Sequence, residues 1–183
     1  VKKGLELQGP LIDKFPESHS VDAVKLDQNK ILIYALPVKD PNDLYWLTRA
    51  VYGPRGIAHL GGASMGLLET AGAEHTAFEA STVYRAADEN KAIALEAGVI
   101  KELKEQGYTN AASPPGLPIA TCLEKPDDKN LRVSCFVRVG RYIGDANNAL
   151  TSYSDAKADQ LTDTHKQITA QYKILLKADQ KAN

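Results

Sequence analysis

Gly62-Ala63-Ser64-Met65-Gly66 has the spacing G-x-S-x-G. Small neighbours in that pattern leave a serine hydroxyl clear on a tight strand-to-helix turn, where it can act as an acyl-transfer nucleophile. Asp145 and His165 follow in the order serine, acid, histidine, the order such a triad takes in α/β-hydrolases. Ser64, Asp145 and His165 are therefore the catalytic candidates of a serine hydrolase. Several features weigh against it. Residues 57–60, which would have to be the preceding strand, contain His59, and no HGGG-type oxyanion segment lies upstream. The other elements do not alternate strand and helix as a parallel sheet requires. The leading expectation is a chain without catalytic residues, with the hydrolase as an alternative.

Cys122 and Cys135 are the two cysteines of the chain. Between them Pro126-Asp127-Asp128-Lys129-Asn130 signals a turn, because proline fixes φ and Asp and Asn bond their own backbone. A turn centred between Asp128 and Lys129 sets Cys122 directly opposite Cys135, close enough for a disulfide after slight added twist. Redox catalysis is disfavoured. Its dithiols usually sit in C-x-x-C at a helix start, and neither cysteine has that setting. A structural disulfide is the expectation, with two buried thiols as the alternative. The same register puts Val133, Cys135, Val137 and Val139 on one apolar face. Arg132, Ser134, Phe136 and Arg138 form the other, which reads as mixed and wet.

The histidines are His19, His59, His75 and His165. His75 and Glu79 are one helical turn apart if that segment is helical, which reads as a surface pair, since a metal site needs three or four converging ligands. No phosphate-binding glycine motif follows a clear strand. No metal and no cofactor are expected. Residues 53–72 hold six glycines: Gly53, Gly56, Gly61, Gly62, Gly66 and Gly72. Such a segment is either a tight structural loop or a place where backbone meets a ligand.

Strands are expected near 21–27, 31–37, 78–86, 117–125 and 131–140. The apolar run Ile31-Leu32-Ile33-Tyr34-Ala35-Leu36 is the candidate central strand. Asp40-Pro41 should open a helix that Gly53-Pro54 ends; its Trp46 reads as core. Asp88 should cap a second helix through Gln106, with Ile93, Ala97, Ile100 and Leu103 on its buried side. A C-terminal helix over about 152–179 carries a stripe of Leu161, Thr164, Ile168, Tyr172 and Leu175, which suits a helix lying across the sheet. The fold class is α+β: a mostly antiparallel sheet of four or five strands, with three or four helices packed mainly on one face. Residues 1–19 read as an extended arm, and 20–183 as a single domain.

With 43% hydrophobic residues the chain can bury a sizeable core. Its net charge of −1, with scattered basic residues, argues against nucleic acid. No run approaches the ~20 apolar residues of a membrane-spanning helix. The start at Val1 reads as a processed or trimmed chain. With the cysteine pair, this points to an exported protein, periplasmic or secreted. The expected function is a non-enzymatic accessory or binding module that presents a surface to another protein. A further alternative is a small apolar-ligand carrier with the 53–72 segment as its lid.

Overall fold

Residues 27–38, 40, 42, 48–126, 131–148 and 157–182 are described by the structure, a computed structural model. Seven strands among them form one antiparallel sheet: β1 (Ala50–Tyr52), β2 (Thr76–Phe78), β3 (Thr82–Arg85), β4 (Thr109–Ala111), β5 (Thr121–Pro126), β6 (Leu131–Val139) and β7 (Tyr142–Asn147). Their order across the sheet is β1-β2-β3-β7-β6-β5-β4. The helices are α1 (Pro54–His59), α2 (Met65–Thr70), α3 (Glu89–Glu105) and α4 (Lys157–Ala182). The class is α+β with an antiparallel sheet, as expected, but with seven strands rather than four or five.

The helices divide between the two faces rather than favouring one. Ile57 of α1, Leu68 of α2, and Leu95 and Val99 of α3 pack with Tyr84, Phe136 and Ile143 on one face. Ile168, Leu175 and Ala178 of α4 pack with Val83, Val133, Val137 and Ala146 on the other. The two sets alternate along every central strand, as side chains in a strand must. A sheet covered on both sides by apolar residues needs no wet face.

Cys122 pairs with Cys135 across β5 and β6. Their Cα atoms are 4.1 Å apart and the sulfurs are bonded. Residues 127–130, where the turn is expected, lie outside the described set. Of Arg132, Ser134, Phe136 and Arg138, only Arg132 is exposed. Phe136 is buried, and Arg138 reaches Glu89 and Glu96 of α3, both at 3.2 Å. The charge on this strand face docks a helix.

Four expected elements are corrected. The strand expected near 117–125 begins only at Thr121, after a turn in which Leu117 O accepts from Ala120 N at 3.1 Å. The run 31–36 forms a turn of 3₁₀ helix, Leu32–Tyr34, after another at Gln28–Lys30. Asn29 and Lys30 have φ of 63° and 53°, and Asp27 Oδ1 accepts from Leu32 N at 2.7 Å. Side-chain bonding of this kind competes with strand pairing. Ile31 and Ala35 still enter the core under α4. The expected strand over 78–86 is a β2–β3 hairpin that turns at 79–81. Ala50 and Val51 belong to β1 rather than to a helix, and Pro54 starts α1 instead of ending an earlier one. Most of the helix expected after Asp40, Trp46 included, lies outside the described residues, as do the arm at 1–19 and almost all of the 21–27 strand.

Asp88 caps α3 by accepting from Lys91 N at 2.8 Å. The buried side of α3 is Ala92, Leu95 and Val99, while Ile93 is exposed. On α4, Thr164, Ile168, Gln171, Leu175 and Ala178 are buried, so this helix does lie across the sheet. Its approach depends on Gly144, where an added Cβ would come within 2.5 Å of Gln171 Cγ.

Candidate functional site

A cavity of about 290 Å³ lies between the sheet and the α1–α3 layer. Residues 60–63 of the glycine-rich segment form one wall. Val99, Glu102, Leu103 and Gln106, at the end of α3, form a second. The floor is the sheet itself, with Thr82 and Tyr84 from β3, Ser134 from β6, and Asp145 and Asn147 from β7. Arg132 and Tyr108 stand at the more exposed side, hydrogen-bonded to each other.

Local sequence explains the loop wall. Gly61 has φ of 82°, a left-handed conformation that glycine adopts without steric cost. A Cβ on Gly62 would meet Ile57 Cγ2 at 2.5 Å and the Tyr84 hydroxyl at 3.1 Å. The glycines thus let the loop settle onto Tyr84, whose hydroxyl accepts from Ala63 N at 3.3 Å.

Asp145 is the unusual group. Its residue is 6% exposed. Burial pushes its carboxyl up to about 7, opposed only in part by a hydrogen bond from Asn147. Its Oδ1 has no hydrogen-bond partner. Four buried side-chain atoms among the described residues share that condition: Thr76 Oγ1, Arg141 Nε, Gln167 Oε1 and Asp145 Oδ1. Only Asp145 belongs to a residue that lines the cavity. Buried polar atoms are normally paired, so an unpaired acid on a cavity floor is a place for a ligand atom. Tyr84 is pushed above its ordinary range, chiefly by burial and then by the nearby Asp145, with a smaller push from Glu102.

The hydrolase candidates do not converge. Ser64 is the residue before α2, so the helix after the serine is present. The stretch before it is α1, not a strand. Ser64 N is 3.4 Å from Glu102 Oε2. Asp145 faces the cavity, whereas His165 is on α4, on the opposite side of the sheet, where its Nε2 is 2.9 Å from Ala112 O. The sheet separates the acid from the histidine, and Ser64 has neither as a hydrogen-bond partner.

His165 instead lies beside the cysteines. Its ligand nitrogen and both sulfurs fall within 4.8 Å of one another. Bonded sulfurs offer no thiolate to a metal, which leaves a single imidazole. His75 and Glu79 do not form a helical surface pair. β2 runs between them, and buried Glu79 accepts from Val38 N at 3.1 Å.

Sequence reasoning did not select Glu102, Arg132 or Ser134. The available signal was the mixed face of β6, whose polar members needed partners across a layer. Asp145 was selected for a different role.

Residues 37–178 match a family model described as "Domain of unknown function (DUF7373) C-terminal". No curated protein and no solved structure matches the chain.

Proposed function

We propose that this chain, which belongs to the family described as domain of unknown function (DUF7373) C-terminal, is a non-enzymatic binding domain of an exported protein. In this reading it takes a small polar molecule into the cavity under residues 60–63. The observation that carries the reading is the unpaired Oδ1 of Asp145 on the cavity floor. Leaving a buried polar atom without a partner costs about 1–3 kcal/mol, and a ligand donor would recover it. The cavity volume is near the lower end of the ~300–1,000 Å³ usual for small-molecule sites. The polar floor favours a polar ligand over an apolar one. The cysteine pair supports export, since disulfides persist outside reducing compartments. No helix among the described residues is long and apolar enough to cross a membrane.

The test is an amide NMR screen of a panel of small polar metabolites. Binding in the cavity shifts amides at 61–63, 102–108, 132–134 and 145–147, and Ser134→Leu, which fills the floor, abolishes those shifts. Shifts confined to other surfaces, or unchanged in Ser134→Leu, would remove the cavity as the binding site.

A further inference from the structure

We propose that the molecule taken by the cavity carries an ammonium group, seated beside Tyr84, Asp145 and Glu102. This rests on the cavity reading above and adds the ligand's charge.

The charges that line the cavity are unevenly distributed. Asp145 enters from β7, paired with Thr82 two residues from Tyr84 on β3, and Glu102 enters from α3, accepting from Ser64 N next to the Ala63 N that donates to the Tyr84 hydroxyl. Arg132 of β6 is the cation of the lining. It is exposed at the outer side, where it is engaged with Tyr108. Residues 60–63 bring no charge and no histidine lines the cavity. The part of the lining around Tyr84 therefore holds two acids, buried Asp145 and partly exposed Glu102, and no base. An anion there would face both carboxyls. A neutral polyol would leave Glu102 without a countercharge. An ammonium supplies hydrogen-bond donors for Asp145 Oδ1 and an opposite charge for both acids, and opposite charge within a few Å favours the ionised carboxylate.

Binding is then a proton exchange. Below neutral pH the Asp145 carboxyl is protonated in the empty protein, with burial as the cause. The incoming ammonium keeps its own protons, and the Asp145 proton leaves to solvent. Affinity rises with pH until Asp145 is ionised in the empty state. The other groups facing it are Glu102, Arg132, Tyr84 and Tyr108; burial pushes both tyrosines upward, away from this window.

A matched series of four-carbon probes tests this by NMR titration and calorimetry: butylamine, 4-aminobutyrate, butyrate and 1,4-butanediol. The two amines should shift the amides of 61–63, 84, 102 and 145, with butyrate and butanediol silent. Their affinity should rise on the order of tenfold or more between pH 5.5 and pH 8. Proton release should appear as a binding heat that depends on the buffer. Asp145→Asn, a neutral replacement of the same shape, should abolish the pH dependence and weaken binding at least tenfold. Glu102→Gln should weaken it less. If 4-aminobutyrate binds more tightly than butylamine and Arg132→Gln removes the difference, the ligand also carries an outer carboxylate; if the two bind alike, a plain amine suffices. Cavity shifts from butanediol or butyrate with silent amines would overturn the ammonium and leave the cavity standing. Amine binding that is unchanged in Asp145→Asn would also overturn it. Silence from all four probes, when the wider panel finds a ligand, would overturn the ammonium alone. Silence from the panel as well would remove both readings.

Discussion

The two faces of the sheet are built from alternate residues of the same strands, yet they end differently. Under α4 the central buried amide is matched at both ends. Gln171 Nε2 donates to Tyr34 O at 2.8 Å, and its Oε1 accepts from Ser81 Oγ. Ser81 Oγ in turn accepts from Leu36 N at 2.8 Å. Gly144 removes the side chain that would hold α4 away. Under α1–α3 the next residue along, Asp145, has one oxygen unmatched beside open space. A face closed against its own helix maximises packing. A face that keeps a buried acid and a cavity forgoes stability, the usual condition of a binding site.

The largest expected contrast is in packing. Leu175→Ala, in the closed face, should destabilise by up to about 5 kcal/mol, because a fully buried leucine leaves a void that neighbours fill poorly. Leu103→Ala, in the cavity wall, should cost less than half of that, since the leucine is half-buried and already borders open space. Chemical denaturation reads both. Equal losses would break the distinction between a packed and an open face.

The next effect is electrostatic. Asp145 is held at about 7 when folded against an ordinary 3.8. The folded state therefore binds the proton more tightly, and stability is full below about pH 4. It falls as pH rises from 4 to 7 and levels off above 7. The drop is roughly 4 kcal/mol, at about 1.4 kcal/mol per unit. Asp145→Asn should flatten that part of the pH–stability curve. An unchanged slope in the variant would assign it to other groups.

A smaller effect belongs to the closed face. Replacing Cys122 and Cys135 by alanine should cost about 3 kcal/mol, the entropy estimate for a short closed loop. The cavity amides in the NMR spectrum should keep their shifts, because both sulfurs lie on the α4 side. Large shifts around Tyr84 or Asp145 would mean the two faces are not independent.

Local signals in the sequence were legible and long-range ones were not. The Asp88 cap is set by residues adjacent in the chain, and the β5–β6 register follows from a turn signal in the sequence between the cysteines, so the start of α3 and the Cys122–Cys135 pairing could be read directly. β7 was missed because Gly144, Asp145, Ala146 and Asn147 are poor strand formers. Gly144 and Asp145 are there for reasons outside the strand: room for Gln171, and a polar floor. The run 31–36 has strand composition, but Asp27 winds it into a turn. The buried side of α3 was misplaced by one step because Ile93 is exposed, and Ala92 fills the core instead. Ser64, Asp145 and His165 match a motif in order, but order cannot reveal that a sheet runs between the acid and the histidine.

The most direct test is the carboxyl carbon of Asp145, followed by NMR across a pH titration of the empty protein and repeated with an amine bound. The account predicts a midpoint near 7 when empty, falling toward the ordinary carboxylate range when the cavity is filled. A midpoint near 4 in the empty protein would mean that Asp145 already has its partners, as Gln171 has beneath α4.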